Sequence, residues 1–318
     1  MLPSVLAGCG ALAIALAIDR WWGEPGLRLH PVVWIGNYLN WASTRLRPDA
    51  SPDVRDLTSF WLAAAYWWAG AALVLIVSCG VQWAALALPW YIAALLLGLA
   101  LKPMLAWAML RSEVRAVEAA LTQSLDAGRQ RLAMLVSRDT ANLSEAEVRE
   151  SAIESLAENL NDSVVAPILY FVLFGLPGAA LYRFANTADA MWGYRGLRNG
   201  VNWEWSGKWA ARADDALSWL PARITALLLK LFSQSVDFKT LSVEARKTPS
   251  PNSGWPMAAM ALALGVRLQK PGVYVLNAAG RPPAPPDVDL ALKMASKVVA
   301  AAFLWAQAAM VFIAFLIL

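Results

Sequence analysis

The segment NLSEAEVRESAIESLAENL places Glu147, Glu150, Glu154 and Glu158 at spacings of three and four, and Asp162 follows four residues later. At about 100° per residue the four glutamates share roughly 80° of arc, with Ile153, Leu156, Ala157 and Leu160 gathered on the far side. Ser144 followed by Glu147 is a capping box, which marks where this helix starts. No Lys stands four residues on to relieve the file of carboxylates, and like charges at that spacing repel by about a few tenths of a kcal/mol per pair. On a soluble protein this would be a solvated face. Here an uncharged stretch, Ser163 to Tyr182, follows at once, so Glu158, Asn159 and Asp162 become partly desolvated unless a cation answers them. Carboxylate and amide oxygens are the ligands Mg²⁺ prefers, and Mg²⁺ usually arrives with phosphate. These residue types therefore point to metal-assisted phosphate handling.

Two further clusters suit the same chemistry. NTADAMWGYR contributes Asn186, Asp189 and Tyr194, and RADDALSWLPAR contributes Asp214, Asp215 and Arg223. Adjacent Asp214 and Asp215 point in different directions on a helix, so one can face a ligand while the other caps or meets water. Glu154, Glu158, Asp214 and Asp215 are the candidate metal ligands. Phosphate also needs donors. Arg138, Lys208, Arg212 and Arg223 can supply them, as can a helix start at PNSGWPMAAM, where Gly254 allows close approach beside Asn252 and Pro256 suits the first turn.

Other chemistries are excluded by what is missing. The chain has no GxxxxGK[ST] and no GxGxxG followed by a suitable acid, so neither a P-loop nor a Rossmann nucleotide site is expected. With one histidine, His30 in LHPVVWIG, a Ser-His-Asp triad and multi-His metal sites are also out of reach. Cys9 and Cys79 lie in apolar stretches and imply neither a disulfide framework nor a zinc site.

The elements that must position these residues follow from composition. Of 318 residues, 58% are hydrophobic and only 16% charged, with 17 Trp, against the roughly 25% charged of a soluble domain. This is a polytopic, all-α membrane protein. Uncharged stretches run from Met1 to Ile18, Leu57 to Leu101, Ser163 to Tyr182 and Val298 to Leu318. A spanning helix needs about 20 apolar residues, so the second stretch holds two, with the turn expected near Gly80–Trp83. The spans are about 3–20, 60–79, 84–104 and 298–318, with 164–184 as a fourth or fifth candidate. All 27 Lys and Arg fall outside the four uncharged stretches. If basic loops stay cytoplasmic, the first helix runs inward, the next two form an out-and-back hairpin, and both chain ends lie outside. The start of the chain lacks a basic n-region and a cleavage site and is read as a retained helix.

A single crossing at 163–182 would put its two basic flanks in different compartments. Its centre reads GLPG, Gly175 to Gly178, which suggests a turn and hence a re-entrant hairpin, tolerated where protein or a water-filled cavity covers the backbone. The polar regions 105–162 and 183–297 are too long for mere connections and should carry the function within a single membrane-embedded domain. No alternating strand pattern of useful length and no internal repeat is visible.

Taken in order, DRWWGEP, LHPVVWIG, VSRDT, ESLAENLND, NTADAMWGYR, ADDALSWLPAR and SPNSGWPMAAMALALGVRL resemble the CbiB/CobD family of cobalamin biosynthesis, from about residue 15 to 280. The resemblance implies adenosylcobinamide-phosphate synthase activity in the bacterial inner membrane, with the site facing the cytoplasm. Such a ligase joins the free propionate of adenosylcobyric acid to 1-amino-2-propanol phosphate or ethanolamine phosphate, with ATP and Mg²⁺, and other late cobalamin-pathway membrane enzymes are possible neighbours. On this resemblance Glu154, Glu158, Asn159 and Asp162 would form a metal and nucleotide or amine site, with Asn186, Asp189, Asp214 and Asp215 opposite. Arg138, Arg223 and the Asn252–Gly254 turn would contact phosphates or corrinoid amides, and His30 the substrate. The chain departs from the family pattern at Gly23-Glu24-Pro25 for GDP, at Asn161-Asp162-Ser163 for a small residue followed by Asp-Gly, and at Ala188-Asp189-Ala190 for Leu-Asp-Ser. Each departure keeps an acid.

Two rival readings remain at this level. A transporter would show uptake without ATP-dependent product, although no inverted repeat is visible. A corrinoid-binding scaffold would bind without turnover. Nucleic acid is no partner, because the net charge of +4 is spread over loops with no clustered patch.

Overall fold

The computed structural model describes residues 2–46, 55–198, 201–233 and 236–317. It is helical nearly throughout: α1 (Leu2–Trp22), α2 (Pro31–Ser43), α3 (Leu57–Leu86), α4 (Trp90–Leu101), α5 (Trp107–Leu121), α6 (Leu125–Leu132), α7 (Glu145–Leu160), α8 (Ala166–Trp192), α9 (Lys208–Leu231), α10 (Phe238–Ala245), α11 (Gly254–Leu264) and α12 (Pro285–Ile317). Two short antiparallel ribbons interrupt them, β1 (Leu197–Arg198) with β2 (Val201–Asn202), and β3 (Leu268–Lys270) with β4 (Tyr274–Leu276). Five helical stretches are long and apolar enough to cross a membrane: Leu2–Trp22, Leu57–Leu86, Trp90–Leu121, Glu145–Trp192 and Pro285–Leu316. On α3 the exposed side chains include Trp61, Trp68, Leu73, Ile76, Val77 and Trp83. A helix apolar on its outer face as well as its inner one belongs in lipid.

The break between α3 and α4 falls at 87–89 rather than near Gly80–Trp83. A glycine inside a helix costs only about 1 kcal/mol, and the apolar turns on both sides of Gly80 outweigh it. Pro89 cannot continue α3, and it caps α4 with extended backbone (φ −51°, ψ 141°).

The chain divides into two compact units, residues 1–105, 166–218 and 306–318 in the first, and 106–165 and 219–305 in the second. In the first unit α1 and α4 run parallel in close contact. A Cβ at Gly10 would come 2.9 Å from Ala94, and one at Gly98 would come 2.8 Å from Ile14. Small residues at such contacts let the backbones approach, which is how helices pack where lipid removes the hydrophobic drive. A core of Tyr38, Trp67 and Phe184 joins α2, α3 and α8, with both rings of the pair Tyr38 and Phe184 filling the space a side chain at Gly70 would take.

Within α8 the chain folds back at Gly175, whose φ of 68° and ψ of −155° leave the helical region. The rings of Tyr170 and Tyr182, twelve residues apart in sequence, stack at 5.4 Å, whereas twelve residues of continuous helix span about 18 Å. The first arm, 166–174, is thus about 14 Å long, half of a bilayer's hydrocarbon core. Gln82 of α3 accepts a hydrogen bond from the Leu176 N–H (2.8 Å) that the break orphans. Gly175 is required twice, for its left-handed φ and because a Cβ there would lie 2.2 Å from the Gln82 oxygen.

The second unit is built around α7. Ten consecutive residues from Val148 to Ala157 are buried, so the carboxylate file lies inside protein, with α5, α6, α11 and β3 packed around it.

Candidate functional site

The helix that carries the acids starts where its capping box dictates: the Ser144 hydroxyl and Glu147 carboxylate exchange hydrogen bonds with each other's backbone N–H groups. Along α7 each acid then meets a different partner. Glu147 belongs to the cap. Glu150, fully buried, lies 3.4 Å from Arg267. Glu154, 4% exposed, pairs with Arg138 at 2.9 Å. Arg149, on another face, is held by Glu118 (2.9 Å) and Glu145 (2.6 Å). Pairing rather than solvation answers the two buried charges, because Arg267 and Arg138 reach Glu150 and Glu154 from outside the helix.

Arg138 comes from the loop after α6. That loop is tied down by Arg129, whose Nε donates to the Leu143 carbonyl (2.7 Å), and by Thr140, whose hydroxyl donates to the Arg129 carbonyl (3.0 Å). The guanidinium reaches the Ser151 hydroxyl and Glu154 through Nη2, while its buried Nη1 has no partner. Between the loop, α7, α11 and the β3–β4 ribbon is a cavity of about 180 Å³ lined by Arg138, Ser151, Glu154, Glu158, Lys270 and Tyr274 among others. Ligand pockets for drug-sized molecules run to about 300–1,000 Å³, so this one suits a small polar ligand. Asn159, also on its wall, donates to the Ser155 carbonyl at 3.0 Å.

Lys270 and Tyr274 were not among the residues that sequence motifs singled out. They are cross-strand partners in the β3–β4 ribbon, so both side chains leave the same face. The turn between them contains Pro271 and Gly272, the latter at φ 72°, a Pro-Gly signal legible in the sequence even though three-residue strands are too short to show alternation. Tyr274 shares the cavity wall with Glu154, and its hydroxyl lies 3.8 Å from the Met257 sulfur. Burial, with the Glu154 and Glu158 carboxylates beside it, pushes this phenol above its ordinary pKa, which keeps it a hydrogen-bond donor.

The other predicted site residues occupy different settings. Asp162 accepts from Asn161 Nδ2 (2.7 Å) in a π-helical turn, Asn161–Val165, and the Asn161 oxygen accepts in turn from Thr225 (3.1 Å). Such turns recur at functional sites. Arg223 is committed to the Trp219 carbonyl (2.7 Å), the Asn252 side chain (2.7 Å) and the Pro251 carbonyl (3.2 Å), with Trp219 and Trp255 rings on its faces. Gly254 meets protein rather than open space: a Cβ would lie 2.1 Å from the Ala245 carbonyl. These residues fasten the start of α11.

In the first unit, Asn186 donates to Asp214 at 3.4 Å, and Ser218 donates to the other Asp214 oxygen at 3.4 Å. Asp189 sits against Gly193, and Tyr194 donates to the Ala190 carbonyl (2.9 Å) beneath the Arg198 guanidinium. Burial raises the Asp215 carboxyl above its ordinary pKa, with Arg195 opposing. His30 caps α2: its Nδ1 accepts from the Val32 N–H (3.2 Å), and its Nε2 lies 3.1 Å from Glu24. Glu154 and Glu158 belong to the second unit, Asp214 and Asp215 to the first. Among the described residues no group of three or more His, Cys, Asp or Glu is placed to hold a metal ion.

The family model described as CobD/Cbib protein matches residues 12–302 of the chain. A protein of Thermococcus kodakarensis named probable cobalamin biosynthesis protein CobD is 42% identical over 289 residues, covering 88% of each chain. Its namesake in Pyrococcus abyssi is 40% identical over 300 residues, 94% of each. The cobalamin biosynthesis protein CobD of Brucella anthropi is 34% identical over 306 residues, 89% of this chain and 91% of that one. No solved structure matches. With its motifs in order along nearly the whole length and the match extending from the first helix into the last, the chain belongs to the CobD/CbiB family of cobalamin biosynthesis proteins.

Proposed function

We propose that this protein is the membrane ligase that amidates the propionate of adenosylcobyric acid with 1-amino-2-propanol phosphate or ethanolamine phosphate, at the expense of ATP. Its site would face the cytoplasm from the bacterial inner membrane. The observation that carries this reading is the small cavity walled by Glu154, Glu158, Arg138 and Lys270. It offers anionic and cationic groups together, as an amine that also bears a phosphate requires.

In this reading the propionate is first phosphorylated by ATP, because a carboxylate is a poor electrophile. The amine nitrogen then bonds to the carbonyl carbon, phosphate leaves, and the nitrogen gives up its proton to a carboxylate, Glu154 or Glu158. Burial of Glu154 beside Arg138 fixes the orientation of that acceptor, and the Tyr274 phenol lines the same cavity. Asp162, in the π-helical turn that follows α7, would continue the same polar wall. Mg²⁺ usually binds one or two carboxylates together with substrate phosphates rather than an all-protein cage. Glu154 and Glu158, one helical turn apart with the Asn159 amide beside them, fit that habit. When bound there it supplies charge neutralisation for the phosphoryl oxygens. Asp214 and Asp215 would serve the nucleotide or corrinoid in their own unit, with Asn186 and Asp189 beside them.

The test is to incubate the purified protein in detergent with adenosylcobyric acid, ATP, Mg²⁺ and each phosphorylated aminoalcohol, and to look for adenosylcobinamide phosphate by mass. Product with one amine and not the other would also fix the amine. No product with either would sink the ligase reading.

A further inference from the structure

Lys270 differs from the other basic residues of the site. Among the described residues it makes no ion pair, yet it lines the cavity and its charge reaches Glu154. The ribbon that presents it is anchored at its base. Asn277, in the left-handed region at φ 48°, donates its N–H to Glu244 (2.7 Å) and its side-chain amide to the carbonyls of Val266 (2.9 Å) and Ala261 (3.3 Å). Gly265 closes α11 at φ 64°, and Arg267 N–H donates to the Arg281 carbonyl (2.8 Å). Lys270 therefore stands on a fixed support with its head uncommitted. Arg138 lines the same cavity, and its buried Nη1 has no hydrogen-bond partner among the described residues. Two cationic side chains on the wall of a cavity of about 180 Å³, one of them without an ion pair among the described residues, are complementary to a compact multivalent oxyanion.

Resting on the reading that this cavity receives the amine substrate, we propose that Lys270 is the specificity-determining residue for its phosphate, acting together with Arg138. The β3–β4 ribbon is then part of the binding site. Lys270 selects a phosphorylated amine over the bare aminoalcohol, and Tyr274, its cross-strand partner, is a positioning residue that keeps Glu154 in place.

The experiment compares Lys270→Met, which keeps length and loses charge, with Lys270→Arg, which keeps charge. Lys270 is exposed at the end of its strand, so neither change disturbs the core. Binding of ethanolamine phosphate and of ethanolamine to the full-length protein in detergent is measured by calorimetry, and the KM for the phosphorylated amine is measured in the ligation assay. Loss of a charge-assisted hydrogen bond should weaken ethanolamine phosphate binding by about 10- to 100-fold in Lys270→Met. Ethanolamine binding should stay as in the wild type, and Lys270→Arg should remain within about threefold. Wild-type affinity for ethanolamine phosphate in Lys270→Met, or no binding by the wild type, overturns the proposal. Charge-dependent binding without any ligation product leaves Lys270 in its role and sinks the ligase reading instead. Ligation by Lys270→Met at the wild-type KM does the reverse.

Discussion

Each unit contains a buried charge network, and the two are finished to different degrees. In the first, Lys102 and Asp19 are 2% and 1% exposed. The Lys102 ammonium lies 3.0 Å from Asp19 and 2.8 Å from Glu24, and it donates to the Leu105 carbonyl at 3.2 Å, so the cation has two acids of its own. Glu24 passes the connection on to His30, whose second nitrogen caps α2. In the second unit, Arg138 bonds Ser151 and Glu154, and among the described residues Lys270 makes no ion pair. One network is closed in charge, its cation held between acids; the other, among the described residues, leaves Lys270 open. Burial and charge alone do not separate structural from functional residues, since both networks have them. What separates them is whether each cation has an acid of its own.

The largest effect expected from this difference is on turnover at Glu154. Glu154→Gln keeps the shape and the hydrogen bond from Arg138 but removes the proton acceptor. It should lower ligation by about two to four orders of magnitude while the protein still elutes as a folded species in detergent. Wild-type ligation by this variant would assign the acceptor to Glu158, and wild-type ligation by Glu154→Gln with Glu158→Gln would show that the open network is not the reaction site.

The corresponding change in the closed network should act on stability instead. Lys102→Met leaves two carboxylates buried against α1 and the segment after it, with no counter-charge. Removing one partner of a buried ion pair costs about 3–5 kcal/mol, to be read from thermal or denaturant unfolding in detergent. The folded fraction should ligate at near the wild-type rate per molecule. A variant that unfolds no more easily but fails to ligate would merge the two networks into one functional system.

How far these roles were legible in the sequence depended on whether a residue's partner was near it in the chain. The capping box at Ser144 and Glu147 and the break at Gly175 are local, and the structure shows both where their residues stand, whereas the turn between α3 and α4 falls at Pro89 rather than near Gly80–Trp83. The motifs around Glu154 and Asn252 likewise carried the family. Partners distant in sequence were not legible. Arg267 answers Glu150 from 117 residues away, and the all-round burial of α7 arises from α5, α6, α11 and β3 rather than from its own pattern. Lys270 and Tyr274 escaped notice because a three-residue strand has no period to read. Arg223, Asn252 and Gly254 were legible as a group, yet their mutual hydrogen bonding at the start of α11 depends on packing against α10.

The smallest expected effect sharpens the comparison most, because it concerns the residue whose sequence setting and geometry suggest different roles. His30 sits in a family motif that implied substrate contact, but both of its ring nitrogens are engaged inside the first unit, one with the Val32 N–H and one with Glu24. Its Nδ1 must be unprotonated to cap α2, so the proton resides on Nε2 and the ring is a neutral donor to Glu24. Asn at this position can still cap the helix through its side-chain oxygen but is too short to reach Glu24. His30→Ala loses both bonds. Alanine should therefore cost about 1–2 kcal/mol of stability and asparagine about half of that, with KM for either substrate unchanged in both. Unaltered unfolding together with a KM raised about tenfold would move His30 out of the closed network and into the substrate site, and the saturation of its two nitrogens would then have to be broken when substrate binds.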